Sequence, residues 1–156
     1  MGHRKPLRLP HEQYGDPSRL FHVVARSHPA VPAWDERIRG AVWNELMAQA
    51  SSERLRLVAA CLMTNHVHLL ASPGNIDLLR WLNEWKSFTT RRAWETGHQG
   101  PLWQPSFWDR AVREGAALDT VKYVVQNPVA AGLVRDWREW PWTYLAPERV
   151  WPQLSA

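Results

Sequence analysis

The sequence predicts an α+β chain: a ferredoxin-like β-α-β-β-α-β antiparallel sheet with a further helix behind it. Three observations carry this. Short apolar runs of strand length stand at 20–25, 54–62, 66–71 and 107–112. Apolar residues at helical spacing fill the gap after the first run and the gap after the third. The second and third runs are so close that only an antiparallel hairpin joins them.

The elements follow in order. Leu20-Phe21-His22-Val23-Val24-Ala25 is rich in strand formers and is punctuated by Pro29 and Pro32. Asp35 is placed to cap a helix in which Ile38, Val42, Leu46 and Met47 recur to about Ala50. Arg54–Leu62 is the second strand, Thr64-Asn65 the turn, and His66–Ala71 the third strand, stopped by Ser72-Pro73-Gly74. Leu78, Leu79, Leu82, Trp85, Phe88 and Thr89 mark a second helix to about Glu95. Phe107–Val112 is the fourth strand. Ala116–Gln126 is a third helix, with Leu118, Val121 and Val125 toward the core, ended by Asn127-Pro128. Residues 129–156 are rich in Trp and Pro, with one short helix expected.

At 156 residues, 45% hydrophobic and 22% charged, the chain has the composition of one folded domain. We expect a basic arm over 1–18, a main folded domain over 19–145 and a tail over 146–156. No run approaches the roughly 18 apolar residues of a membrane span. The first residues, basic and without an apolar stretch, carry no secretory signal, and the cytoplasm is the expected compartment. A lone Cys61 excludes an internal disulfide and zinc sites built from cysteine pairs. A net charge of +4, a pI of 9.7 and 11 tryptophans suggest a polyanionic partner with bases to stack on, although most tryptophans in small domains are core.

Two pairs of residues carry chemistry. His66 and His68 are two apart on a strand, so their imidazoles project from one face while Val67, Leu69 and Ala71 occupy the other. Such a pair can hold one divalent ion or be two unrelated surface histidines. Thr120, Tyr123 and Asn127 share a face of the third helix, with Tyr123 one turn before Asn127. A phenol beside an amide oxygen can be a nucleophile beside a metal ligand, or an amphipathic tyrosine before a helix-ending asparagine.

Taken together, Thr64-Asn65-His66-Val67-His68-Leu69-Leu70, then LWQPSFWDRAVRE, then VKYVVQNPVAAGLV, resemble the single-tyrosine HUH transposases. The likeness is nearest to the REP-associated tyrosine transposases, relatives of the insertion-sequence 200/605-type enzymes, and covers roughly residues 19–145. It implies the roles that follow. His66 and His68 match the HUH histidines, Tyr123 the nucleophile, and Asn127 the third metal ligand. Thr64 replaces the usual proline. His22 falls where the family often has histidine, with no role assigned. The implied activity is Mg²⁺- or Mn²⁺-dependent cleavage and strand transfer of single-stranded DNA at palindromic, hairpin-forming repeats, through a 5′-phosphotyrosine. The implied assembly is a monomer or homodimer.

For DNA contact, the second helix offers Arg80, Lys86, Arg91 and Arg92 with Trp81 and Trp85, and the arm offers Arg4, Lys5 and Arg8. The same helix reads equally as a solvated cationic face over core tryptophans. Two other classes compete with the enzyme: a domesticated hairpin-binding protein of the same fold without mobility, and a metal-binding or RNA-binding ferredoxin-like module. The second is disfavoured because histidines stand where such modules carry strand aromatics.

Overall fold

The computed structural model describes residues 9–147. The chain runs β1 (Phe21–Arg26), α1 (Glu36–Ala50), β2 (Leu55–Leu62), β3 (His66–Pro73), α2 (Leu78–Glu95), β4 (Trp108–Ala111), α3 (Ala117–Val125), a one-turn α4 (Asn127–Ala130) and β5 (Thr143–Leu145). Every strand pairing is antiparallel, and the sheet order is β4-β1-β3-β2-β5. The ferredoxin-like core is therefore present, with β5 added at the β2 edge. Among the described residues no helix is long and apolar enough to cross a membrane.

Local chemistry sets the helix starts. The Asp35 side chain accepts the Ile38 N–H at 2.9 Å, and Asp77 accepts that of Arg80 at 2.8 Å, so each helix begins on a satisfied cap. Both helices bury their apolar faces on one side of the sheet. Phe21, Val23 and Ala25 of β1 meet them there, as do Val67, Leu69 and Ala71 of β3. The tryptophans explain themselves at this interface. Trp81 stacks on Trp85 at 5.5 Å between centroids, Trp85 meets Trp103 at 5.0 Å, and Trp103 meets Trp34 at 4.8 Å. Trp81 donates to Gln49 Oε1 and Trp103 to Thr89 Oγ1, whereas the buried indole N–H groups of Trp34 and Trp85 have no hydrogen-bond partner among the described residues.

The opposite face is not open. α3 packs across it, with Ala117, Val121 and Val124 against Val58, Ala59, Cys61 and Leu70. A bulge between Leu57 and Ala59 makes this possible. Before it, Leu55 and Leu57 point to α1 and α2; after it, Ala60 and Leu62 do, while Val58, Ala59 and Cys61 face α3. One extra residue reverses the parity of the strand, which is why RLRLVAACL shows no clean alternation.

Several expectations need correction. Leu118 is 44% exposed, and Val124 takes the core position assigned to it. Pro128 does not stop the helical path; it stands in the first turn of α4, and Gly132, at φ +75°, ends that turn. The expected arm is folded where it is described: His11–Gly15 forms a 3₁₀ turn, and buried Tyr14 donates to Asp109 Oδ2 at 2.7 Å. The expected tail begins with a packed residue, since Ala146 is buried and its N–H reaches Val58 O at 2.8 Å. After α4 the structure places a 3₁₀ turn at Trp137–Glu139 and then β5, an edge strand absent from the sequence reading.

Candidate active site

Strands β1, β3 and β4 and helices α3 and α4 meet at a cleft of about 730 Å³ between the sheet and α3. β3 supplies His66 and His68, whose same-face placement follows from strand period two. β1, paired with β3, supplies His22, Val24 and Arg26 on that face. β4, on the other side of β1, supplies Trp108 and Arg110. Thr120, Tyr123 and Asn127 project into the cleft from α3 and the start of α4, on one stripe as their spacing predicts.

The rings are close. The Tyr123 centroid lies 5.7 Å from that of His68 and 5.8 Å from that of His22, edge-on to both. His66 and His68 are 5.0 Å apart, also edge-on. The Asn127 side chain lines the same cleft as His66 and His68 and favours their charged forms. Its amide nitrogen donates to the Tyr123 carbonyl at 3.2 Å, which ties Asn127 to the preceding turn and leaves its oxygen as the acceptor. Tyr123 itself is 61% exposed, so its hydroxyl is within reach of a large substrate.

Burial governs the electrostatics. It holds His68 at about 3 and His22 at about 4, against 6.5 for an ordinary histidine. The neighbouring His66, His22 and Arg26 push His68 down further, and Arg110 does the same to His22. His66 is lowered by burial and then by Arg26, against a hydrogen bond to Asn127 that favours its charged form. All three imidazoles are neutral at neutral pH and keep a lone pair for a cation or a donor. Around them Arg26, Arg110 and Arg113 are exposed at the rim, and none makes an ion pair among the described residues. A cleft with neutral imidazoles at its floor and free guanidinium groups at its mouth suits an anion bridged to a metal.

On the second helix the tryptophans expected to face DNA are core residues and several of the cations are already held. Trp81 and Trp85 are 1% and 2% exposed and cannot stack on bases. Lys86 donates to the Gln104 and Ser106 carbonyls and lies over the Phe107 ring. Arg92 is paired with Glu45 and Glu95. Arg91 is exposed, over Phe88. Arg4, Lys5 and Arg8 lie outside the described residues. Sequence reasoning missed Arg26, Trp108, Arg110 and Arg113, and left His22 without a role. For β1 the face was legible, since His22, Val24 and Arg26 alternate with apolar Phe21, Val23 and Ala25; for β4 it was not, because its other face carries Asp109, and only sheet order brings Trp108 and Arg110 to the cleft.

Fold and site together define a ferredoxin-like domain with an imidazole, amide and phenol cluster in one cleft. The chain belongs to the family of IS200-like transposases: the family model described as "Transposase IS200 like" matches residues 18–127, a stretch that holds the histidine pair, Tyr123 and Asn127. A Haemophilus influenzae protein provisionally named a REP-associated tyrosine transposase is 29% identical over 101 residues, 55% of this chain. The chain spans 56% of that relative's length. A solved structure of the REP-associated tyrosine transposase bound to a REP hairpin superposes with a TM-score of 0.67 at 19% identity, over 92% of this chain and 82% of that one. A crystal structure provisionally named a Deinococcus radiodurans transposase gives 0.51 at 20% identity, over 70% and 92%.

Proposed function

We propose that this chain cleaves single-stranded DNA at hairpin-forming palindromic repeats and rejoins the strands through a 5′-phosphotyrosine on Tyr123. The observation that carries this reading is the convergence of Tyr123, from α3, on the imidazoles of β3 in a cleft rimmed by unpaired arginines. Family membership, and the hairpin in the solved relative, support it.

The residues fit a divalent cation. Two neutral imidazoles and one amide oxygen are the donors that Mg²⁺ or Mn²⁺ would find in His66, His68 and Asn127. Asn127, whose side chain lines the same cleft, would supply the third donor. When bound, the ion would supply Lewis-acid polarisation of a phosphate oxygen. Arg26, Arg110 and Arg113 neutralise phosphate charge and orient the strand at the mouth of the cleft. The Tyr123 oxygen attacks phosphorus, giving its proton to solvent. A bond from phosphorus to the tyrosine oxygen forms, and the bond to the 3′ oxygen breaks and leaves as a 3′-OH. The phosphotyrosine keeps the energy of the ester. A 3′-OH of another strand can therefore reverse the step and release the phenol without ATP.

The test uses 3′-end-labelled single-stranded DNA carrying a palindromic repeat from beside the coding sequence, with Mn²⁺. The expected result is a labelled protein–DNA species that survives a denaturing gel, is lost in Tyr123→Phe and persists in Tyr144→Phe. An adduct that persists in Tyr123→Phe would contradict the assignment. Hairpin binding without any adduct would support the domesticated binding protein instead.

A further inference from the structure

The proposed chemistry uses only one ring nitrogen of His68. The other, Nδ1, lies 2.9 Å from Nε2 of His22, and both side chains are buried, at 5% and 7% exposure. At that distance one ring donates and the other accepts. If His22 donated, His68 would carry its proton on Nε2, and that nitrogen could not bind a cation. If His68 donates from Nδ1, its Nε2 lone pair is left free. We propose that His22 is a positioning residue: it accepts the Nδ1–H of His68 and locks the tautomer that leaves Nε2 of His68 to the metal. This rests on the cation reading above.

The strand geometry supports the assignment. His68 is registered opposite Val24, two residues from His22 on β1, so the two rings project on the same face of the sheet as diagonal neighbours. They stack at 5.2 Å and 26° between planes. Trp108 meets His22 edge-on at 5.1 Å, which limits ring rotation. His66 uses the same device. Its Nδ1 is 2.7 Å from Asn65 Oδ1, an oxygen that only accepts, so the proton of His66 is on Nδ1 as well. Both candidate ligands then have Nδ1 held by a partner and Nε2 available, the arrangement by which outer hydrogen bonds orient metal-binding imidazoles. His22 does not itself complete a metal-ligating cluster among the described residues.

Long-range ¹H–¹⁵N spectra of the metal-free protein read the tautomer directly, and loss of the free Mn²⁺ electron-resonance signal reads affinity. His22→Phe keeps a ring but removes the acceptor; His22→Gln puts an amide oxygen near the place of Nε2. The wild type should show His68 as the Nδ1–H tautomer. His22→Phe should move it to Nε2–H and weaken Mn²⁺ binding about 10- to 100-fold, and His22→Gln should stay within roughly threefold of the wild type. A wild-type His68 protonated on Nε2 overturns the proposal, as does a His22→Phe variant with unchanged tautomer and affinity. Should His22→Phe fail to fold, the wild-type spectrum and the His22→Gln affinity decide. If the tautomer switches as expected but even the wild type shows no Mn²⁺ affinity, the cation reading fails and the His22 hydrogen bond stands.

Discussion

Two surfaces of this molecule set arginines beside aromatic rings, and they differ in what those arginines already hold. On α2, Arg80 is paired with Glu84, Arg92 with Glu45 and Glu95, and Lys86 with two backbone carbonyls, with Arg91 the exception over the Phe88 ring, while Trp81 and Trp85 are buried beneath them. At the cleft, Arg26, Arg110 and Arg113 make no ion pair among the described residues, and Tyr123 stands exposed beside neutral imidazoles. A cation that is spent inside the molecule gains little by meeting a phosphate, because its present bonds must break first. Density of basic and aromatic residues in a sequence therefore says less about a nucleic-acid surface than whether each cation has a partner.

The widest contrast should come from deleting one ring on each surface. Trp81→Ala should destabilise the fold by about 3–5 kcal/mol, the usual loss for a buried aromatic, while the protein that stays folded binds hairpin DNA unchanged. Denaturant melts paired with DNA titration below the melting range check this. A selective loss of DNA affinity without loss of stability would return Trp81 to the DNA surface.

The imidazoles sharpen the comparison through pH. The fold holds His22 at about 4 and His68 at about 3, so the folded state favours neutral rings and the unfolded chain binds more protons below 6.5. Stability is full above about pH 6.5 and falls as pH drops toward 4. At pH 5 each ring should cost about 2 kcal/mol. Urea midpoints measured with chelator should fall from pH 7 to pH 5, and His22→Phe should fall less steeply. Equal slopes would mean that burial does not hold His22 neutral.

Smaller still are single charges. Arg26→Gln and Arg110→Gln should each weaken hairpin binding and reduce the salt slope by about 0.7, the single-strand value per phosphate contact. Arg92→Gln should leave both unchanged and barely move stability, because exposed pairs contribute little. Salt titrations of the three variants against the wild type make the comparison. An Arg92 effect equal to that of Arg26 would erase the distinction between the two surfaces.

What was legible in the sequence follows from where a short-range period governs. His66 and His68 obey the strand period, and Tyr123 and Asn127 the helix period, so each pair could be seen alone and the family likeness joined them. Leu118 was misplaced because the 3.6 period admits two neighbouring stripes, and only packing on Val58 and Leu70 selects the one with Val124. The bulge at Leu57/Ala59 hides the two-sided burial of β2. β5 has three residues, too few to show a pattern, and exists by its pairing with β2. Arg26 and Arg110 belong to the site only because β1 lies between β3 and β4, a fact of sheet order rather than of local sequence.

In the proposed reaction the Tyr123 oxygen becomes bonded to DNA phosphorus. Mass spectrometry of the protease-digested protein after reaction with the palindromic single strand tests it most directly. Trypsin cleavage after Lys122 and Arg135 gives a peptide, 123–135, with Tyr123 as its single tyrosine. The expected result is a nucleotide mass increment on that peptide, localised to Tyr123. An increment on a peptide carrying Tyr14 or Tyr144, with 123–135 unmodified, would contradict it.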